Sequence, residues 1–204
     1  GAYKIGRDEE VMAHVHMANI ACGAHAGDPM VMEKTVALAV KYGVTIGAHP
    51  GYPDVQGFGR RTIDYTEDEV RTMIIYQTGA LAAFCMAAGA RLGYVKPHGS
   101  LYNTMMVDEV VLHAVFQAVA SYDAGIPVMI QATPRWQRHE KLAKETGLTL
   151  LWEAFADRAY ESDGSLRKRN LRGAVLGSDE IVTQARILCE QQCIVSTDGT
   201  KLEF

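Results

Sequence analysis

Short apolar runs alternate with helical patterns along this chain, and this alternation constrains its fold more than any other feature. Apolar runs occupy residues 17–22, 44–48, 92–96, 126–132 and 148–156, and helix-like segments lie between them. Strands that are joined through helices favour parallel pairing, because a parallel connection needs a crossover. The sequence therefore predicts an α/β fold in which helices cover a parallel sheet, either closed as a barrel or open and doubly wound.

Residues with capping chemistry mark the predicted helix boundaries. Asp28 precedes a proline and predicts an N-cap, and Gly43 predicts the end of that helix. Thr66 and Glu69 have the spacing of a capping box, and Asp108 begins another helix. The remaining predicted elements are helices over 134–146 and 178–192, the latter capped by Ser178 or Asp179, and a β-turn around Asp198-Gly199.

Composition narrows the class of protein. The 204 residues suit one domain, and a net charge of −4 argues against a nucleic-acid-binding surface. We find no apolar stretch of membrane-spanning length and no signal peptide. The four cysteines form no C-x-x-C pair or disulfide framework, which favours a reducing, cytoplasmic setting. Trp136 and Trp152 are predicted to lie in the core.

Three histidines follow consecutive predicted strands, each close to a glycine. They are His25 in IACGAHAGD, His49 in IGAHPGYPD and His98 in YVKPHGSLY. A single such histidine is usually a hydrogen-bonded structural residue. The carboxyl ends of parallel strands share one edge of a sheet, however, so we expect the three imidazoles to meet on one functional face. No G-x-G-x-x-G or G-x-x-x-x-G-K-[ST] pattern follows a strand, which removes the usual nucleotide-binding fingerprints.

Charged residues at the same strand ends have two interpretations each. Asp28 is either only a helix cap or also a carboxylate that orients a histidine. Lys96 is either solvated or directed into a pocket, and Arg60 in GFGRR either binds an anion or is a surface residue. Asp157 and Arg158 follow the fifth strand. Together these groups suit general acid–base chemistry or a metal site.

Five blocks of sequence resemble the LamB/YcsF family, the A subunits of 5-oxoprolinase. The blocks are ANIACGAHAGD, GVTIGAHPGYPDVQGFGRR, YQTGALAAF, VKPHGSLYN and EAFADRAY, and they occur in the family's order over residues 1–204. The resemblance implies an irregular (β/α) barrel related to the glycoside hydrolase/deacetylase superfamily, with parallel strands and outer helices. We therefore expect one domain over 1–204, from which the first and last family strands are absent.

The resemblance also implies a reaction: the ATP-dependent opening of 5-oxoproline to L-glutamate together with two partner subunits, and it allows a homo-oligomer. We expect His25 or His49 to act as general base in that reaction. The candidate catalytic residues are His25, Asp28, His49, His98 and Asp157, and the candidate substrate-binding residues are Lys96, Arg60, Arg158 and Tyr102. ATP would be used with the partner subunits, and superfamily relatives suggest a divalent metal.

Two other functions remain open at this stage. One is a metal-dependent carbohydrate deacetylase, which rests on fold analogy alone. The other is a non-catalytic subunit that binds a small carboxylate, because a histidine-rich face suits binding as well as catalysis.

Overall fold

The computed structural model describes residues 7–203, which form two compact units. The first unit reaches to Ile130 and includes Leu142–Leu151, and the second holds Gln131–Lys141 and the chain from Trp152 onward. The single domain over 1–204 stays a prediction. Residues 1–6 and Phe204, where the expectation of absent family strands falls, lie outside the described residues.

All five predicted strands are present. They pair in the order β1-β2-β3-β4-β5, and the β1–β2, β2–β3 and β3–β4 pairs are parallel. The strands are β1 (Met17–Ala21), β2 (Thr45–His49), β3 (Tyr94–Val95), β4 (Val128–Gln131) and β5 (Leu150–Glu153). The α/β class with a parallel sheet is therefore confirmed.

The helices begin where capping chemistry predicts them. Asp28 accepts the backbone N–H of Val31 at 3.0 Å, and Thr66 and Glu69 form the capping box. Gly43 ends its helix in the left-handed conformation, with φ of 66°. The helices are α1 (Asp8–Met12), α2 (Pro29–Tyr42), α3 (Glu67–Ala87), α4 (Gly99–Met105), α5 (Glu109–Asp123), α6 (Trp136–Glu145) and α7 (Ser178–Gln191).

Two helix boundaries differ from the sequence prediction. Gly177, and neither Ser178 nor Asp179, is the N-cap of α7, and its N–H donates to the Glu180 carboxylate at 2.8 Å. This arrangement satisfies the N-terminal donor from inside the helix, so a capping side chain is not needed. Helix α4 was not predicted, because its seven residues are too few to show a helical period.

Helix α3 is the central helix of the first unit. It packs against α2, α5 and β2, and its buried stripe contains Val70, Ile74, Gln77 and Leu81. Among residues 7–203, α3 alone as a single helix is long and apolar enough to span a membrane by length and composition, contrary to the reading of the sequence. Its burial against α5 is what the core helix of a globular unit also requires.

The second unit ends in a β-hairpin, as the Asp198-Gly199 turn predicts. Its strands β6 (Cys193–Val195) and β7 (Lys201–Glu203) are antiparallel. Tyr160, Ile194 and Leu202 form its core cluster. The prediction that Trp136 and Trp152 are core residues is wrong, because the two residues are 37% and 40% exposed. All four cysteines are free, in agreement with the absence of a disulfide pattern.

Candidate active site

The loops after β1, β2 and β3 bring three histidine rings into contact. His49 is the last residue of β2 and pairs in register with Ala21 of β1, His25 lies in the loop after β1, and His98 precedes α4. The His25 and His98 rings stack with centroids 3.9 Å apart and planes 7° apart. The His49 ring lies 4.8 Å from His98 and 5.9 Å from His25. The predicted meeting of the three imidazoles is therefore confirmed.

A continuous line of hydrogen-bond contacts runs through two of these rings. Nδ1 of His49 lies 2.6 Å from the Lys96 carbonyl oxygen, and Nε2 of His49 lies 2.9 Å from Nδ1 of His98. Nε2 of His98 then lies 2.7 Å from the Phe58 carbonyl oxygen. Both rings are consequently fixed in orientation by backbone atoms of neighbouring loops.

His25 is held differently, because its Nδ1 atom is buried and has no hydrogen-bond partner among the described residues. A side-chain carbon added at Gly51 would lie 2.9 Å from that nitrogen, so the Gly51 Cα faces it at close range. A bare nitrogen tolerates a C–H neighbour, whereas an N–H there would be an unsatisfied donor. We assign the neutral ring as the tautomer with its proton on Nε2.

The backbone around the histidines is packed too closely for side chains. A side-chain carbon at Gly59, where φ is 65°, would lie 2.8 Å from Cδ2 of His98 and 3.0 Å from Cβ of His25. Gly51 is clamped from the other side by the buried amide of Gln77, which accepts from its N–H at 3.0 Å and donates to its carbonyl at 2.8 Å. Gln77 therefore fixes the loop that packs against His25.

The three rings border a cavity of about 310 Å³ in the first unit. This volume is at the small end of ligand-binding pockets. The lining residues supply imidazole, amide, hydroxyl and carboxylate groups among apolar side chains, the polar ones being Asp8, Asn19, His25, Thr35, His49 and His98. Tyr94 donates to Oδ1 of Asn19 at 2.8 Å, which fixes that amide.

Burial and positive charge keep the histidines neutral at neutral pH. Burial, together with the charge of His98, lowers the pKa of His25 to about 3. Burial also lowers the pKa of His49 well below its usual value, and the charges of His98 and Lys96 act in the same direction. The pKa of His98 is lowered by burial and by the charges of Arg60 and Lys96, while its bond to the Phe58 carbonyl opposes the shift.

The candidate substrate-binding residues of the first unit lie beside the histidines. Lys96 is buried, and its Nζ lies 5.4 Å from the centroid of the Tyr102 ring, which is itself buried. Arg60 is exposed, and its guanidinium carbon lies 5.1 Å from the centroid of Phe58, whose carbonyl binds His98. The pocket-directed alternative for Lys96 is therefore the one that its burial supports.

Other predicted site residues have structural contacts. Asp28 is exposed, caps α2, and is not among the described residues that line the cavity. Asp157 and Arg158 belong to the second unit. There Asp157 is exposed, and the buried Arg158 guanidinium donates to the carbonyl oxygens of Ala174 and Arg167 at 3.1 and 2.6 Å. The catalytic or binding roles of these residues stay predictions.

Gln77 and Asn19 are parts of the site that sequence reasoning missed. A signal for Gln77 exists, since it occupies the buried stripe of α3 at helical spacing from Val70, Ile74 and Leu81. A polar side chain within an apolar stripe must find a buried partner, and here the partner is a backbone 26 residues away. Asn19 gave no comparable signal, because it lies within an apolar strand.

The described residues do not offer a metal-binding arrangement. Within residues 7–203, no group of three or more histidine, cysteine, aspartate or glutamate side chains is placed to hold an ion. All four ring nitrogens of His49 and His98 are directed at each other or at carbonyl oxygens, so none presents a lone pair to an ion. A divalent metal does not fit these side chains as they are arranged, and it stays a prediction.

The fold and the histidine cluster define an α/β protein with a small acid–base site, and comparisons with known proteins identify its family. The LamB/YcsF family model matches residues 1–204. A Pseudomonas putida protein, named as the second A subunit of 5-oxoprolinase, is 48% identical over 205 residues, covering 100% of this chain and 80% of the relative. The 5-oxoprolinase A subunit of Vibrio campbellii is 50% identical over 200 residues, covering 98% and 79%. The chain belongs to the LamB/YcsF family.

A solved structure supports the same relationship. The crystal structure of the Lactam Utilization Protein from Thermus thermophilus superposes with a TM-score of 0.90 at 38% sequence identity. The match covers 98% of this chain and 81% of the other. It is consistent with the barrel that the sequence resemblance implies.

Proposed function

We propose that this protein hydrolyses the lactam bond of 5-oxoproline to give L-glutamate, as one member of an ATP-dependent complex. The observation that carries the proposal is the contact of three neutral, buried histidine rings at the edge of one small cavity. Relatives at about half identity over the whole chain are named as A subunits of 5-oxoprolinase, and a structural relative is described as a lactam utilization protein.

The reaction needs an oxygen-stabilising donor and a proton carrier. Hydrolysis adds the hydroxyl of water to the lactam carbonyl carbon, breaks the C–N bond and delivers a proton to the ring nitrogen. His25, as the neutral tautomer with its proton on Nε2, suits the stabilisation of negative charge on the reacting oxygen. His49 and His98 suit proton transfer, because their nitrogens are already joined by a hydrogen-bond contact.

Substrate recognition requires a cation for the carboxylate of 5-oxoproline. Lys96 and Arg60 supply positive charge next to His98, and the Tyr102 ring lies close to the Lys96 ammonium. A buried ammonium attracts an anion more strongly than a solvated one, because the local dielectric is lower. We propose that Lys96 holds the carboxylate, or the phosphate of an activated intermediate, with Arg60 as a second cation.

ATP use and assembly belong to the proposal as well. The relatives are named as subunits, which implies a complex, and we propose two partner subunits that activate the lactam by phosphorylating its oxygen. Phosphorylation makes the ring carbon a better electrophile, which leaves hydrolysis to this chain. We place the complex in the cytoplasm.

A glutamate-release assay tests the proposal. The complete complex, supplied with 5-oxoproline and ATP, is expected to release L-glutamate, and omission of this chain is expected to stop it. His25→Gln should lower turnover, whereas His14→Gln, at an exposed position, should not. Release of acetate from an acetylated sugar without ATP would instead favour the deacetylase. Binding of 5-oxoproline with turnover unaffected by His25→Gln would favour the non-catalytic binding role.

A further inference from the structure

We propose that His49 and His98 act as one proton-accepting unit that is one proton short when both rings are neutral. The inference rests on the function proposed above and names the group that takes the proton of the attacking water. It follows from a count of protons along the line of contacts that joins these two rings to two backbone carbonyls.

The line contains three contacts and four ring nitrogens. The outer two contacts end on the carbonyl oxygens of Lys96 and Phe58, at 2.6 and 2.7 Å, and carbonyl oxygens only accept hydrogen bonds. The middle contact joins two nitrogens at 2.9 Å and needs one proton between them. Three protons are required to make all three hydrogen bonds.

Two neutral imidazoles carry only two protons. If both protons face the carbonyl oxygens, the two central nitrogens of His49 and His98 oppose each other with lone pairs. If one proton lies between the rings, one carbonyl oxygen faces a bare nitrogen. Each neutral arrangement therefore leaves one buried contact unmade, and a third proton completes the line.

The surroundings decide when the third proton is present. The positive charges of Lys96 and Arg60 oppose it, and so does burial, while the two carbonyl oxygens favour it. The other titratable groups that face the pair or its cavity are His25 after β1, Asp8 of α1 and the buried thiol of Cys22, which lies at the backbone of His49. The pair is consequently neutral in the resting protein and is stabilised by a proton that arrives during the reaction.

The proton balance of the catalytic step is complete. As water adds its oxygen to the ring carbon, its proton passes to the pair, which changes from neutral to singly charged and makes its third hydrogen bond. When the C–N bond breaks, the pair returns that proton to the departing nitrogen. No other donor or acceptor is needed, and the pair ends the cycle as it began.

Nitrogen NMR of the histidine-labelled full chain tests the proton count without any assay of activity. On lowering the pH, the ring nitrogens of His49 and His98 are expected to gain about one proton together, with a common midpoint. His14, which is exposed, is expected to titrate separately. Separate midpoints for the two rings, or no proton gained before the chain unfolds, would overturn the proposal.

Turnover by the complete complex tests the catalytic role. His98→Asn places an amide oxygen near the position of Nδ1, so it preserves an acceptor for His49 but cannot hold a proton. We expect kcat to fall by about 100- to 10,000-fold with little change in KM. In the parent protein, activity should fall as the pH drops through the NMR midpoint, and this limb should vanish in the variant. His49→Gln provides the same test from the other ring if His98→Asn does not fold.

The two arms separate this inference from the proposed function. A common NMR midpoint without any glutamate release would refute the 5-oxoproline assignment and leave the paired proton site standing. Normal kcat in both folded variants, with glutamate release intact, would refute the catalytic role of the pair and leave the 5-oxoproline assignment standing.

Discussion

Replacing His25 with glutamine should make the stability of this protein less sensitive to acid. Burial lowers the pKa of His25 to about 3 from the ordinary value of 6.5. Below about pH 6.5 the unfolded chain therefore binds a proton that the folded chain does not bind. The stability that this residue contributes is complete above the unfolded pKa and is lost as the pH falls towards the folded pKa.

The size of the effect follows from these two pKa values. Between about pH 7 and about pH 4.5, this single group should lower the free energy of unfolding by about 2.5 kcal/mol. Glutamine has no proton to gain in this range, so His25→Gln should remove that component of the pH dependence. The groups that are common to both proteins cancel in the comparison.

Urea unfolding at the two pH values measures this difference. The parent should lose about 2.5 kcal/mol more stability than His25→Gln on acidification. His14→Gln replaces an exposed histidine and should behave like the parent. Equal losses in the parent and in His25→Gln would show that burial does not hold this ring neutral, and the assigned tautomer would then lose its basis.

Three further substitutions test the loops that hold the rings. Gln77→Leu removes both hydrogen bonds to Gly51 and should cost about 2–5 kcal/mol of stability in urea unfolding, with a lower kcat; unchanged values would show that the clamp is dispensable. Gly59→Ala should lower kcat at least about tenfold, because its new carbon would press on His98 and its φ of 65° strains a side chain; parent-like turnover would refute this packing argument. Asp28→Ala should cost about 1 kcal/mol of stability through loss of the cap. Full turnover in Asp28→Ala would exclude the histidine-orienting role, and a large fall in kcat would support it.

The parts of the fold that depend on neighbouring residues were predictable. Caps such as Asp28 and Thr66 act within one helical turn, and apolar runs of strand length mark buried strands wherever they pack. The short α4 and the exposed tryptophans were missed for the opposite reason. A helix of seven residues shows no period, and the exposure of Trp152 depends on which face of β5 is covered.

The sequence alone determined that His25, His49 and His98 would meet, because parallel strands bring their carboxyl ends to one edge whatever lies between them. Tertiary structure decided what the meeting can do. The carbonyl oxygens that receive the His49 and His98 rings come from Lys96 and Phe58, 47 and 40 residues away along the chain. Backbone carbonyls carry no sequence signature, so the number of protons that this site needs is legible only once the loops have folded against each other.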